Sequence, residues 1–339
     1  MTASRAEAVG RGLVEHLRAS LGEPALSLAE PPRPLTGGFD TEIFTVRLRA
    51  APAEFTGPLV LRVLRAHHDP GLVLREQAIQ NVLADQRYPA ARVIHASLDP
   101  APLGAAFLLM ERLPGAPLIS ARPLGMERPL LDVQLRLHAL DAAPLARALG
   151  EAVTFDGYVA ALERRVARAG LHGLTASMRW LREHRPRPAA PPVICHGDLH
   201  PQNVLVEGRR VTGVLDWPNT VIADAAFDVA STRNILRFVP PTLASLPRLL
   251  RWLASVGQPL LAARYLRGYR SQQALDADRL AYYEVAAAMR ALVRAGERRA
   301  RAGSGPPPTA LDRSAYAGRL LAHVVGVTGL AAELPDESW

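Results

Sequence analysis

The stretch PVICHGDLHPQNVLVEGRRVTGVLDWPN, residues 192–219, restricts the possible folds of this chain more than any other. Pro201 and the preceding apolar strand oppose a helix there, and Glu207-Gly208 marks a tight turn. The segment therefore reads as loop, short strand, turn, short strand, loop. That pattern sets His196, Asp198 and Asn203 in one loop and Asp216 just beyond the hairpin.

These residue types at this spacing suit one chemistry. Phosphoryl transfer needs a carboxylate to orient the acceptor hydroxyl or take its proton. It also needs oxygen ligands that hold Mg²⁺ against nucleotide phosphates. Asn203 lies five residues after Asp198, and Asp216 follows the hairpin. The protein-kinase order H-R-D-x-x-x-x-N, then D-F-G, has the same spacing, with Gly197 here for Arg and Trp217 for Phe. A zinc cluster of His196, Asp198 and His200 is the competing reading. Two His four residues apart serve zinc from one helix face, and this segment is not helical.

The rest of the chain divides into two characters. Residues 4–21 carry a helical pattern, and LTGGFDTEIFTVRLRA reads as a hairpin turning at Gly37-Gly38. Residues 58–65, VIHASLD and 106–113 add strands, and 72–85 an internal helix. Residues 127–140, 156–185, 241–300 and 311–331 read as helical. The expectation is an α+β chain. A small antiparallel-sheet lobe spans residues 1–110 and a larger helical lobe 111–339, and a cleft between two lobes commonly holds a nucleotide.

HGDLHPQNVLV followed by GVLDW resembles the catalytic-loop signature of the aminoglycoside phosphotransferase and choline kinase-like family. LTGGFDTEIFTV, FLLMERLPG, LRLHALD and DAAFDVAS extend the resemblance over roughly residues 35–231. The resemblance implies a two-lobed protein-kinase-like fold and a kinase moving the γ-phosphate of ATP or GTP to a small-molecule hydroxyl. It implies Asp198 as catalytic base or hydroxyl-orienting acid, and Asn203 and Asp216 as Mg²⁺ ligands. His196 would prop the loop. Asp228 either buttresses it, as at the matching family position, or merely starts a helix.

On the nucleotide side the family position for a phosphate-binding lysine falls on Arg62. The chain has 40 basic residues, all Arg, so no lysine can serve. Arg65, on the opposite face by period-two alternation, is the alternative. Glu76 would pair with Arg62. Gly37 and Gly38 would let backbone approach the phosphates, although TGGFDT lacks a full G-x-G-x-x-G. Met110, Glu111 and Leu113 match the segment whose backbone would hold the base. The absent lysine and incomplete glycine loop motivate a second reading, a nucleotide-binding pseudokinase or scaffold.

Composition narrows the partners. The net charge of +8 arises at the C-terminal end, where residues 232–339 hold 15 Arg against 8 acids. No zinc-finger, aromatic-interleaved or basic-tail pattern accompanies it, so nucleic acid is not an expected partner. The same surplus disfavours a polycationic acceptor. Tyr265, Tyr269, Tyr282 and Tyr283 read as helix packing rather than as an acceptor pocket. No apolar run is long enough to span a bilayer, and the first residues lack the apolar core of a secretory signal. A single cysteine, Cys195, fits a reducing compartment, and a cytoplasmic location is expected.

Overall fold

Alternating side chains in TEIFTV and LVLRVL make strands with two apolar faces, and both faces are covered. A computed structural model of the chain describes residues 3–35, 41–122, 125–238, 248–300 and 314–335. It divides into two units, Met1–Ala116 with Leu205–Pro218, and Pro117–Val204 with Asn219–Trp339.

The first unit is built on a five-stranded sheet in the order Arg33–Pro34, Thr41–Val46, Leu59–Leu64, Phe107–Glu111, Val93–Ser97. Every neighbouring pair is antiparallel. Val9, Leu13 and Leu17 of the Ala3–Leu21 helix cover one face, packing with Phe44, Leu61, Val63 and Phe107. The opposite face gathers Leu64, Val93, Leu108 and Met110 with Val73 of the Leu72–Asp85 helix. In the register, Arg62 lies between Ile43 and Leu108. Gly37 and Gly38 lie outside the described residues.

The strands Val204–Glu207 and Arg210–Val214 turn at Gly208, whose φ of 57° lies in the left-handed region that glycine enters without strain. Three contacts tie this segment to the first unit. The Val214 amide donates to the Pro89 carbonyl at 2.7 Å. The Thr212 hydroxyl donates to the Pro114 carbonyl at 2.6 Å. The buried Trp217 ring meets Tyr88 edge to face at 5.6 Å. Asp216 thereby belongs to the first unit with the rest of Leu205–Pro218, although the chain on either side of that segment does not.

The second unit is helical around one antiparallel pair, Val193–Cys195 with Val221–Ala223. The Ala225–Phe238 and Ala277–Ala300 helices meet through small buried residues, among them Ala226, Ala230, Ala286 and Ala287, which permit close approach. Phe155, Tyr158, Phe227 and Tyr283 form an aromatic cluster beside them, with edge-to-face centroids 5.0–6.3 Å apart. The helix expected over 156–185 is two helices, Phe155–Arg168 and Thr175–Glu183. Gly170 breaks it with a φ of 62°. The pattern over 241–300 likewise divides, into Arg248–Arg270 and Ala277–Ala300. Asp276 opens the second of these by accepting the Arg279 amide at 2.8 Å. Among the described residues no helix is long and apolar enough to cross a membrane.

Phe107 is fully buried between the first helix and the sheet. Phe107→Ala is expected to lower unfolding stability by about 3–5 kcal/mol, read as a lower urea midpoint with an unchanged slope.

Candidate active site

The Val193–Cys195 strand ends at the buried His196, and Gly197 then turns the chain sharply with a φ of 74°. Only glycine fits. A Cβ there would lie 2.5 Å from the Asn219 carbonyl oxygen. The turn is held from both sides. The Gly197 amide donates to Asp228 Oδ1 at 2.7 Å. Its carbonyl accepts from the Ser231 hydroxyl at 2.5 Å and from Arg290 Nη2 at 2.7 Å.

Asp198 follows, a quarter exposed at the side chain. Its carboxylate accepts from Arg290 Nη2 at 3.1 Å and, more weakly, from Asn219 Nδ2 at 3.4 Å. Asn203 Nδ2 donates to the Asp198 carbonyl at 3.0 Å, so the Asn203 carbonyl oxygen is the atom left to meet a cation. His196 Nδ1 accepts the Asp198 amide at 3.2 Å and His200 Nδ1 the Gln202 amide at 3.3 Å. Both imidazoles thus meet the loop's backbone through Nδ1.

Two carboxylates here, Asp198 partly sheltered and Asp228 fully buried, resist the usual effect of burial. Desolvation pushes Asp198 up, but the charges of Arg290, then His200 and His196, outweigh it and hold the carboxyl below the ordinary aspartate value. Desolvation also pushes Asp228 up. The His138 hydrogen bond and charge outweigh it, and that carboxyl too lies below its usual range. His138 Nε2 meets Asp228 Oδ2 at 3.1 Å, and its Nδ1 meets the Tyr269 hydroxyl at 3.0 Å. Asp228 thus bonds both His138 and the Gly197 amide of the loop that carries Asp198.

The first unit assembles a second charged group. Arg62 Nη1 donates to Glu76 Oε1 at 2.6 Å, and Arg62 Nη2 lies 3.7 Å from Asp216 Oδ1. The Gln80 amide adds a bond to Glu76 Oε1 at 3.1 Å. Burial raises the Glu76 carboxyl above its usual value, Arg62 opposes this, and Asp216 adds to it. Asp216 is nearly half exposed at the side chain and has a φ of 68°, an uncommon conformation outside glycine that aspartate tolerates better than most residues. Arg65 is exposed, so the ion pairs with Glu76 and Asp216 select Arg62.

The remaining expected residues are placed individually. Glu111 ends its strand, with its amide donating to the Arg92 carbonyl at 2.9 Å and its carboxylate accepting the Arg92 amide at 3.2 Å. Leu113 is half-buried against the apolar face that holds Val60 and Met110. The four tyrosines weighed for an acceptor pocket are all buried. Tyr282 donates to the Leu181 carbonyl at 2.7 Å, and Tyr265 bonds Gln134.

Sequence reading missed Arg290, Asn219, His138 and Ser231. Arg290 did leave a signal: it interrupts the apolar run of VAAAMRALV on the Ala277–Ala300 helix. A charge at a buried helical position demands a partner, but the partner lies 92 residues away.

Comparisons with known proteins identify a family and a fold. The profile of the Phosphotransferase enzyme family matches residues 33–283. The aminoglycoside 3'-phosphotransferase of Streptomyces fradiae is 28% identical over 214 residues, which cover 58% of this chain and 72% of that protein. A Ralstonia eutropha structure assigned to the aminoglycoside phosphotransferases superposes with a TM-score of 0.65 at 20% identity, covering 95% of this chain and 99% of the other. The Plasmodium vivax ethanolamine kinase gives 0.58 at 12% identity, covering 92% and 86%. At such identities the structural matches establish the fold: a protein-kinase-like arrangement of small antiparallel sheet and larger helical portion.

Asp228, with its depressed carboxyl, stabilises the folded chain above the unfolded aspartate value, and this is lost as pH falls through the folded value. Asp228→Asn is expected to cost about 1–3 kcal/mol at pH 7. The gap from wild type in urea unfolding should narrow as the pH is lowered; a gap that widens would refute the assignment.

Proposed function

The chain belongs to the Phosphotransferase enzyme family, and from that membership we propose that it is a small-molecule kinase transferring the γ-phosphate of ATP or GTP to a hydroxyl. The observation that carries this reading is the Asp198 loop. Gly197 turns the chain, and Asp228, Ser231 and Arg290 secure the turn, so an anionic carboxylate is presented on a rigid support.

In the proposed reaction the acceptor oxygen bonds to the γ-phosphorus as the bond to the β–γ bridging oxygen breaks. The nucleoside diphosphate leaves, and the hydroxyl proton passes to Asp198. A loose transition state places little nucleophilic demand on the acceptor. A carboxylate held below its ordinary value is a weak base but a dependable hydrogen-bond acceptor. Asp198 would therefore act chiefly by orienting the hydroxyl and take the proton late.

Mg²⁺ calls for hard oxygen donors. The Asn203 carbonyl oxygen and the exposed Asp216 carboxylate are donors of that kind, and the proposal assigns both to the metal. Bound Mg²⁺ would neutralise charge on the nucleotide phosphates. Arg62, braced by Glu76, takes the lysine's part toward those phosphates. Its planar fork can serve two acids at once, which an ammonium on a flexible stem does less well. That intact pair favours an active enzyme over a pseudokinase. Gly37, Gly38 and the backbone at Glu111 and Leu113 remain the proposed nucleotide contacts. ATP and Mg²⁺ are abundant in the cytoplasm, where we place the reaction.

The names of curated relatives point to aminoglycosides as acceptors. Two features here favour a neutral or anionic hydroxyl compound instead: the guanidinium of Arg290 against Asp198 and the Arg surplus of residues 232–339. A cationic acceptor would be repelled by the first and gain nothing from the second.

A thermal-shift screen with Mg²⁺ and ATP or GTP, followed by phosphotransfer across a hydroxyl panel, tests the reading. Asp198→Ala is expected to lower turnover at least about 10²-fold while the nucleotide-induced shift persists. Turnover like wild type would remove Asp198 from the role. Arg62→Ala should raise the nucleotide KM or lower kcat, and the absence of either effect would discard Arg62.

A further inference from the structure

We propose that Arg290 is a positioning residue of the phosphotransfer site, and that it sets the direction of the Asp198 carboxylate by tying it to the backbone of the loop that carries it. The inference rests on the kinase reading of Asp198. It concerns a residue outside the catalytic-loop motif, on a helix far along the chain.

The geometry is specific. One nitrogen, Nη2, reaches both the Gly197 carbonyl at 2.7 Å and Asp198 Oδ1 at 3.1 Å. Among the described residues, the other supports each hold one part of the loop. Asp228 and Ser231 bond only the Gly197 backbone. The Asn203 side chain bonds the Asp198 carbonyl, and the Asn219 side chain reaches Oδ2 at 3.4 Å. Arg290 alone among them joins side chain to backbone. It thereby restrains rotation of the Asp198 side chain, which Asn219 at 3.4 Å holds more weakly.

The tie is well placed to be strong. Hydrogen bonds from a guanidinium to a carboxylate are charge-assisted and about twice as strong as neutral ones. Both partners are largely sheltered, with side-chain exposures of 20% and 24%. The supporting helix is itself anchored. Glu284, less than two turns before Arg290, pairs with Arg233 and with His323 Nε2 at 3.1 Å, and its carbonyl accepts from Asn234 Nδ2 at 2.8 Å. Orientation of this kind matters because a small misplacement of a catalytic group can cost about 10²-fold in rate.

The test is a double-mutant cycle of Asp198→Ala and Arg290→Met, read in kcat for Mg²⁺-dependent ATP turnover and in the thermal midpoint. Arg290→Met alone should lower kcat about 10-fold or more with nucleotide KM nearly unchanged. In the Asp198→Ala background it should lower kcat no further, because Arg290 acts through the carboxylate. Arg290→Lys, which keeps the charge, should recover part of the loss. Additive losses in kcat, or a loss confined to nucleotide KM, would overturn the positioning role. A variant that loses stability but not kcat would do the same. If wild type turns over no ATP with water or any hydroxyl compound, the kinase reading fails instead. The thermal cycle then still decides the tie: additive midpoints would refute it, and coupled midpoints would support it.

Discussion

The hydrogen bond from the Gly197 amide to the buried carboxylate of Asp228 carries more of this molecule than any other contact. Burying a carboxylate is costly unless its oxygens are satisfied, and here one meets Gly197 while the other meets His138. The bond holds Gly197 in a conformation that only glycine adopts freely, and that conformation directs Asp198 out of the strand. His138 in turn meets Tyr269, so helices at Glu127–His138, Ala225–Phe238 and Arg248–Arg270 all converge on the turn. The loop that carries Asp198 is short, but its support is drawn from several helices of the second unit.

The lysine-free composition is answered by a different economy of charge in the first unit. Arg62 lies on the sheet face covered by the Leu72–Asp85 helix, where Glu76 is almost fully buried. Burial alone would drive Glu76 toward its neutral form, and Arg62 is what opposes this. A guanidinium keeps its proton under nearly all conditions, so the pair does not dissolve through loss of the cation's charge. Arg62 also approaches Asp216, which the hairpin returns to this unit through Trp217 and Tyr88. Sheet, helix and hairpin therefore share one electrostatic centre.

Among the described residues, the C-terminal helices supply support to the loop that carries Asp198. Their tyrosines are buried and bonded to neighbouring helices, which fits their reading as packing residues. Their arginines are more varied. Arg290 enters the catalytic loop, Arg279 pairs with Asp224, and Arg233 pairs with Glu284. The surplus of positive charge in this region is thus partly internal wiring, which no tally of charges reveals.

The sequence alone determined the main elements and nominated the candidate reacting groups. Period-two and helical patterns located the strands at 59–64 and 107–111 and the helix at 72–85, because each signal is local and repeats within a few residues. The spacing of Asp198, Asn203 and Asp216 carried the proposed chemistry, because the three lie within one loop and the hairpin that follows it. The Arg62–Glu76 pair was legible from a strand followed by a helix. Only the tertiary structure decided what holds those groups in place. Arg290 and Asp198 are 92 residues apart, and His138 and Asp228 are 90. Hydrogen bonds of that span leave no periodicity in a chain; they exist only once burial has brought the helices together and made an unpaired charge too costly to leave.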